Sequence, residues 1–508
     1  MPNSFERFIA RLSPGLALSR SVNRTRWQMM EQRRAQFMGS TYAPVGGGRR
    51  SAEFRRNARD AQGAMRGQRE PLAFIARDML RNNPRVVRAN NLIAGYTVGA
   101  GIRPVVEMKS DEAKSNKDKI EGLILDHLMT NAIDADGVST LLGHQRLLMG
   151  AIPTSGEVLM RRRLRRSTDG LPLPFQVQVL ETDYIVSHKH TIGTPTGRRI
   201  DEGIEYGPTG RPEFYHLYAN HPGSTYGSGD IRKVAAENIA HGFLVDRPGQ
   251  RRGVSWYAPV MAELHDLHKF MQGTLKRQEV AAMFAGILKT TGDNDPDGSR
   301  SDALMELEAG AILELDSGED LDFNDPPDAQ NAEPVVQLID RVIAGGLMLT
   351  YEGLSGDYSR VNYTSGRMAR MDQDPFNMFL QEELMIARMM GPLSSWFKEA
   401  VFFKTGVEPS DYRLKWTAPR RPVVDPTKDF PAIIKKIRGG LGSRQEAIRE
   451  LGRDPARVAR EIREDNEAAD ESGGVFDSDA RSVSQSGVAQ GKANAVAANP
   501  EQEDSEND

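Results

Sequence analysis

The stretch Pro259-Val-Met-Ala-Glu-Leu-His-Asp-Leu-His-Lys-Phe-Met-Gln-Gly-Thr-Leu275 determines the fold, because it begins a long amphipathic helix. Its apolar residues, continued to Ala282, recur at spacings of three, four and seven positions. This spacing is typical of a helix with a narrow apolar stripe along one side. A helix of roughly 30 residues rises about 45 Å at about 1.5 Å per residue.

A second long helix is predicted downstream, with Asn331 as its N-cap and Pro334 in its first turn. We expect one apolar face on it, made by Val335, Leu338, Val342 and Leu349. Between the two helices, Asp293–Asp328 carries thirteen acids and one base, with a strand predicted at Ala311–Leu315. Two long helices with a small acidic module between them are more typical of a ring with a protruding stem than of a compact globule.

The sequence before Pro259 predicts a mixed α+β unit. Apolar spacing favours helices over 71–101, interrupted at Pro84, and a helical pair over 117–150. The period then changes to two, which predicts strands. These strands are Gly156–Arg163, Pro174–Leu180 and Phe214–Tyr218.

After the second long helix, a glycine-, serine- and tyrosine-rich segment, Tyr351–Ser365, is expected to be a flexible loop. A further helix is predicted from about Phe376 to Met390, with Gly391-Pro392 ending or bending it. A strand at Tyr412–Trp416 and two short helices, roughly 428–438 and 443–464, then precede a disordered acidic tail. The fold class is therefore α+β.

The net charge of −4 over 508 residues hides segregated blocks, which suggests surfaces with different partners. Residues 1–69 contain fourteen arginines and four acids, whereas Glu464–Asp508 contains twelve acids and two bases. The basic segment is either a partly disordered arm or an arm that contacts DNA or a neighbouring subunit. Its candidate contact residues are Arg49, Arg50, Arg55 and Arg56.

The chain lacks the sequence motifs of several common enzyme classes. The chain has no cysteine, P-loop, H-E-x-x-H or G-x-S-x-G motif, so we expect no enzyme, no cofactor and no metal. His265 and His268, with Glu263 and Asp266, share a helix face but lack a further ligand, and we interpret them as solvated or subunit-facing. The longest apolar run, Val280–Leu288, is shorter than the ~20 residues of a membrane helix, so no membrane partner is expected.

A collinear series of short motifs over about residues 75–455 resembles the lambda-type phage portal proteins. It includes Arg81-Asn-Asn-Pro84 and Val98-Gly-Ala-Gly-Ile-Arg-Pro104. The most specific stretch is Arg247-Pro-Gly-Gln-Arg-Arg-Gly-Val-Ser-Trp256, and Asp322-Phe-Asn-Asp-Pro-Pro327 and Tyr358-Ser-Arg-Val-Asn-Tyr363 follow in order. Pro375 and Gly391-Pro392 depart from the family pattern, because they interrupt what should be one continuous helix.

The resemblance implies a portal fold, with a mixed α/β wing, two long stem helices, a small acidic clip, a tunnel loop with a long wing helix, and a helical crown. The implied segments are an arginine-rich arm 1–70, wing 71–255, stem helix 256–290, clip 291–328, returning stem helix 329–350, tunnel loop 351–366, wing helix and strand 367–427, crown helices 428–465 and tail 466–508.

The resemblance also implies a function and partners. Portal subunits form a ring, of twelve in the mature particle, at one capsid vertex, through which double-stranded DNA is packaged and ejected. The implied partners are the terminase large subunit, a head-completion or connector protein, and the major capsid and scaffold proteins. The implied location is the virion, and the host cytoplasm during assembly.

Two sets of candidate residues follow. A tunnel loop would contact DNA without sequence preference through Ser355, Gly356, Tyr358, Ser359 and Arg360, unless it is only a connector. The clip acids suit either the channel mouth, where they would repel phosphate, or a docking surface, which we favour. The docking candidates are Asp316, Glu319, Asp320, Asp322 and Asp325.

Two other functions stay open on the sequence. One is a metal-dependent DNA-processing enzyme that would use the carboxylates of the acidic block. The other is a monomeric DNA-binding scaffold with a basic arm. Metal-dependent cleavage would favour the first, and a stable monomer the second.

Overall fold

In a computed structural model of the chain, the structure describes residues 59–110, 115–191, 197–225, 229–283, 287–290, 319–322, 332–421, 425–451, 453 and 455–472. Two units are distinguished, Met1–Ala64 and Met65–Asp508. In the first unit only residues 59–64 are described, and they begin a short helix. The other described residues belong to the second unit.

The described elements alternate helical and strand blocks. The helices are α1 (Ala61–Met65), α2 (Arg69–Asn82), α3 (Pro84–Val98), α4 (Lys117–Leu123), α5 (Leu141–Ser155), α6 (Met261–Met283), α7 (Ala332–Gly346), α8 (Tyr351–Ser355), α9 (Tyr363–Phe379), α10 (Gly391–Thr405), α11 (Pro426–Arg438), α12 (Arg444–Glu450) and α13 (Pro455–Ser472). The strands are β1 (Arg103–Met108), β2 (Glu157–Leu164), β3 (Phe175–Leu180), β4 (Arg199–Asp201), β5 (Ile204–Tyr206), β6 (Pro212–Tyr218), β7 (Ile231–Ala235), β8 (Ile239–Phe243), β9 (Ile287–Thr290), β10 (Glu319–Asp322) and β11 (Tyr412–Thr417).

The α+β class predicted from the sequence is confirmed, and so is the break at Pro84. Asn83 is extended, and its side chain accepts a hydrogen bond from the Arg85 amide, so it ends α2 and caps α3. A proline at the first helical position loses no intrahelical hydrogen bond, which explains why the chain restarts a helix there.

The strands form small antiparallel sheets. β2 is the centre of a three-stranded sheet in the order β3-β2-β8, and β4, β5, β6 and β7 form a meander. β1 pairs with β11, which lies about 300 positions later in the chain, and β9 pairs with β10. The sequence predicted β2, β3, β6 and β11, but it missed the other described strands, which are β1, β4, β5, β7, β8, β9 and β10.

One large apolar core joins the helices to the three-stranded sheet, and a smaller core lies under the meander. The large core includes Ile152 of α5, Val158 of β2 and Phe397 of α10, all fully buried. Because α10 packs there together with α3 and α5, segments far apart in the sequence share one interior.

Several predicted boundaries are wrong. The first long helix ends at Met283, and Ile287–Thr290 forms strand β9, so the helix is shorter than the predicted 30 residues. The helical run that follows the second long helix begins at Tyr363, not near Phe376, and continues through Gly391-Pro392 to Thr405. Its middle, Leu380–Met390, is a π-helix, which accommodates the interruption without ending the run. Pro375 lies inside α9.

The C-terminal prediction is also corrected, because 443–464 contains two helices and helical structure extends into the expected tail as far as Ser472. The predicted strand Ala311–Leu315 lies outside the described residues. Among the described residues, no helix combines the length and apolar character that a bilayer crossing requires.

Candidate functional site

Helices α6 and α7 are anchored at one end to the core. Leu264 and Leu267 of α6 are almost fully buried, and a side chain at Gly346, at the end of α7, would collide with Val260. Arg85 on α3 donates two hydrogen bonds to the buried Asp340 carboxylate on α7, at 2.5 and 3.0 Å. These contacts fix the direction in which the two helices leave the core.

α7 has two apolar faces, and the described residues cover only one of them. Ile343, Ala344 and Leu347 are buried in the large core. The predicted stripe of Val335, Leu338 and Val342 lies on another side of the helix and is exposed, Leu338 by 62%. These three residues share one side of α7 as predicted, whereas Leu349 lies beyond the end of the helix and is buried, so the prediction that it belongs to this face is wrong.

The same contrast occurs along α6. The predicted stripe begins buried, at Val260, Leu264 and Leu267, and then emerges at Met271 and Leu275, which are exposed. A cavity of about 340 Å³ between the two helices is lined by Phe270, Leu275 and Val336, among others. A helix that is apolar on more than one side is normally covered on more than one side. The exposed faces of α6 and α7 therefore fit coverage by a further protein surface.

The segment after α7 is more ordered than the predicted flexible loop. The Thr350 hydroxyl accepts a hydrogen bond from the Gly353 amide and caps the short helix α8, which ends at Gly356 in the left-handed conformation (φ 78°). At its far end, Asn362 and Ser365 form a capping box that starts α9. The segment outside helices is thus only residues 356–362.

Asp357 organises this turn. Its carboxylate accepts hydrogen bonds from the Ser359 hydroxyl at 2.6 Å and the Ser359 amide at 3.0 Å, and from the Tyr351 hydroxyl at 3.3 Å. The hydrogen bonds from Ser359 lower the pKa of Asp357, so the carboxylate is charged at neutral pH. Arg88 supports the turn from α3, since its Nε donates to the Gly353 carbonyl at 2.6 Å.

The candidate tunnel-loop residues divide into two groups. Ser355 is half-buried and its hydroxyl donates to the Tyr351 carbonyl, while Gly356 faces the Arg88 guanidinium. Tyr358, Ser359 and Arg360 are exposed, Tyr358 by 59%. The structure therefore exposes the side chains of three of the five candidates, and the contact of the candidates with DNA remains a prediction.

A cavity of about 1130 Å³ continues from this turn, between α3, α9 and the segment after β11. Its lining includes Tyr96, Tyr358, Tyr363, Arg367 and Arg421. Arg421 stacks 3.5 Å from the centroid of the Tyr96 ring and forms an ion pair with Asp374, so it is held within the chain. Arg367 is exposed and forms no ion pair with a described residue. Sequence reasoning did not identify this residue.

Along α9, exposed methionines and a phenylalanine form another apolar surface. They are Met368, Met371, Met378 and Phe379. Their spacing places them along one side of the helix. An exposed apolar surface of this kind is typical of a contact with another protein.

The other candidates cannot be placed in the same way. Arg49, Arg50, Arg55 and Arg56 of the arm, and Asp316 and Asp325 of the acidic block, lie outside the described residues. Glu319, Asp320 and Asp322 lie on β10, whose backbone pairs with β9. Their proposed role in docking remains a prediction.

Sequence reasoning missed the function of the most specific motif, Arg247–Trp256, which is structural. The fully buried Glu157 carboxylate at the start of β2 accepts three hydrogen bonds from the Arg252 guanidinium at 2.6–2.9 Å, and one from the Gly253 amide. It also accepts one from Nε2 of His241, at 3.0 Å. Arg252 donates in turn to the Glu202 carbonyl at 3.1 Å, which ties the three-stranded sheet to the meander.

The protonation states of this cluster follow from its surroundings. Burial alone would raise the pKa of Glu157, but Arg252 and His241 outweigh it and hold that pKa well below its usual range. Burial lowers the pKa of His241, so its ring is neutral at pH 7. With Nε2 donating to Glu157, Nδ1 accepts from the Tyr215 hydroxyl at 3.3 Å. Glu157 with its partners is named the Glu157 cluster below.

Within the described part of the chain, the histidines on α6 are not brought together with further ligands. Nε2 of His268 lies 2.9 Å from the Gln272 amide nitrogen, and His265 is exposed. A different group, Glu181, Asp183 and His221, has ligand atoms close enough to hold an ion. However, Arg77 already contacts both carboxylates, at 3.3 and 2.5 Å, so a guanidinium occupies the place of a metal ion.

Comparisons with known proteins agree with this architecture. A family model described as "Phage portal protein, lambda family" matches residues 47–381, most of the chain. The chain therefore belongs to the lambda family of phage portal proteins.

Among curated relatives, the probable portal protein of Halomonas phage phiHAP-1 is 25% identical over 309 residues, which cover 57% of this chain and 59% of that protein. Portal protein B of Escherichia phage lambda is 22% identical over 265 residues, which cover 45% of this chain and 50% of that protein. The matches thus span between half and three fifths of the relatives' length.

A solved structure, the neck of a native gene transfer agent particle computed with C12 symmetry, is 17% identical to this chain. It has a TM-score of 0.46, and the match covers 75% of this chain and 94% of that one. The family assignment does not depend on this likeness.

Proposed function

We propose that the chain is a subunit of a closed portal ring, through which double-stranded DNA enters and leaves a phage capsid at one vertex. The observation that carries this proposal is the uncovered apolar face of α7, Val335, Leu338 and Val342, next to the emerging stripe of α6. Such faces cost free energy in water, about 25 cal/mol per Å² of apolar surface, and a ring of copies would bury them all.

The segments then take distinct roles. α6 and α7 would be the stem, and the helical run from Tyr363 to Thr405 would be the wing helix. Residues 291–328 would be the clip, where acidic side chains dock the terminase large subunit and the connector protein. The helices after residue 425 would form the crown. We further propose twelve subunits, contact with the capsid and scaffold proteins, and assembly in the host cytoplasm.

The turn between α8 and α9 would contact the DNA. Tyr358, Ser359 and Arg360 are exposed on a turn that Asp357 holds in place. One guanidinium per subunit contacts phosphate without sequence preference, so every genome position can pass. A wall dense in cations would instead gain free energy from counterion release and hold the duplex fast. The work of translocation would come from a separate ATPase.

The first experiment is negative-stain electron microscopy of the full chain, with its mass in solution measured alongside. Rings of about a dozen copies with a central hole are the expected result. A uniform monomer or dimer at high protein concentration would contradict the proposal.

A further inference from the structure

A groove near the C-terminus is lined by four arginines that the proposed function does not use. Arg103 at the start of β1 faces Arg453, Arg457 and Arg460, from α13 and the residues before it, across a cavity of about 310 Å³. All four side chains are exposed. We name this cavity the arginine groove.

Few of these charges are neutralised within the chain. Arg457 pairs with Glu461 at 3.2 Å, in the less favourable order for an i, i+4 pair. Arg103, Arg453 and Arg460 form no ion pair with any residue that the structure describes. Glu121, the acid in the lining, pairs with Lys117 at 3.6 Å. The groove is therefore strongly positive.

Its floor is apolar. Ile124 and Val106 are buried in its lining, while Leu125, which also lines the groove, is exposed by 62%. A phosphate chain has no apolar surface to place on Leu125. An amphipathic segment that carries carboxylates matches both features of the groove, and arginine pairs with carboxylate in a bidentate way.

The chain itself contains such a segment. The last turns of α13 carry Glu464, Glu467 and Glu471 on one side, all exposed and unpaired within the described part of the chain. The first turn of α13 has no acid and its last turn no base. Both ends thus run against the helix dipole, which favours acids at the N-terminus and bases at the C-terminus. These charges do not stabilise their own helix.

We infer that the arginine groove of one copy binds the acidic end of α13 from the next copy. A ring needs two different, complementary surfaces on every subunit, and a helix that is basic at its start and acidic at its end supplies both. The contact rests on the ring proposed above. It would be one of the contacts that close the ring, and it involves the C-terminal helices instead of α6 and α7.

Charge reversal on each side tests the contact. Variant one is Arg457→Glu with Arg460→Glu, and variant two is Glu467→Arg with Glu471→Arg. Each should require about tenfold more protein to assemble than the unchanged chain, as measured by sedimentation at low salt, because like charges then meet. The control, Lys435→Glu with Arg444→Glu, changes the charge equally on exposed residues outside the groove and should assemble normally.

Mixing the two variants is the decisive step. In the mixture, each acidic groove meets a basic helix end and each basic groove meets an acidic one, so assembly should return to within about threefold of the unchanged chain. Circular dichroism checks that both variants fold. A chain ending at Ser472 should behave like the full chain, and loss of its assembly would assign the groove to residues 473–508 instead, overturning the inference.

Two further outcomes separate the explanations. If the unchanged chain forms rings and the variants form them equally well, the contact is wrong but the ring stands. If the variants change only the salt dependence of DNA binding, the arginine groove binds phosphate, and the proposed contact with α13 is wrong. If the unchanged chain forms no ring at all, the proposed function itself fails.

Discussion

The Glu157 cluster and the exposed face of α7 each place side chains where a single water-soluble chain would not. The cluster buries ionised groups, and the α7 face exposes Leu338 and its neighbours. The cluster is complete within one copy, because every oxygen of Glu157 has a donor from the same chain. The α7 face is incomplete, because nothing in the described chain covers it. Buried charges that find all their partners within one copy therefore mark a structural scaffold. Exposed apolar side chains that no described residue covers mark an interface with another protein.

The largest effect should come from opening the Glu157 cluster. Arg252→Met leaves a buried carboxylate without its guanidinium and should lower the free energy of unfolding by about 3–5 kcal/mol. Urea denaturation followed by circular dichroism measures this loss. The matched control is Arg247→Met in the same motif, where the side chain is exposed and the change should stay within about 0.5 kcal/mol. Equal losses in both variants would show that the cluster is no special determinant of stability.

The free energy of unfolding should depend on pH because His127 is buried in the folded chain. Burial lowers the pKa of His127 to about 4, so the folded chain keeps this ring neutral while the unfolded chain binds a proton near pH 6.5. The unfolded state thus binds more protons between pH 6.5 and 4, and stability falls as the pH drops through that window, by about 3 kcal/mol.

His127→Leu tests this origin. It should reduce the dependence of the unfolding free energy on pH between pH 6.5 and 4 by the share of one proton, while His241 and His144, whose pKa values burial also lowers, keep the remainder. His265→Gln on the exposed side of α6 should leave the dependence unchanged. Below that window stability should continue to fall in both variants, because Glu157, with its lowered pKa, must also be protonated. An unaltered slope in His127→Leu would assign the dependence to other groups.

Substitutions on the exposed face of α7 should affect ring assembly and leave the stability of the single chain almost unchanged. Leu338→Asp should prevent rings, since it removes about 1.5–3 kcal/mol of apolar burial per contact and places a charge there. The stability of the single chain should hardly change, because the side chain is exposed. Leu338→Met keeps the apolar surface and should still form rings in negative stain. If Leu338→Asp unfolds the chain instead of only preventing rings, the α7 face is packed within a single copy and is not an interface.

The smallest effect, a change in DNA binding, is expected from substitutions in the turn between α8 and α9. Arg360→Ala should weaken DNA retention and lower the salt slope of binding by about one unit per contact, equally for all DNA sequences. Lys404→Ala removes one charge from an exposed site on α10, away from the turn, and should not change the slope. A sequence-dependent change would contradict a sliding contact.

The residues that sequence analysis could place are those whose signal is local. Pro84 after Asn83, the period-two runs of β2 and β3, and the apolar spacing of α6 each depend on neighbouring positions. Backbone sterics and side-chain period act over a few residues, so the sequence predicts such elements directly. The family could be recognised for a related reason, since its motifs are short and keep their order along the chain.

The sequence by itself thus determined the α+β class, the two long helices, four of the strands, and the arginine-rich and acidic blocks. Tertiary structure alone decided what each side chain meets. It paired β1 with β11, turned Arg252 onto Glu157, and left the apolar face of α7 exposed in the described chain. Amphipathic spacing predicts that a helix face will be buried, but it does not predict which chain will bury it. The hydrophobic effect is the same whether the face packs against its own chain or against a neighbouring subunit.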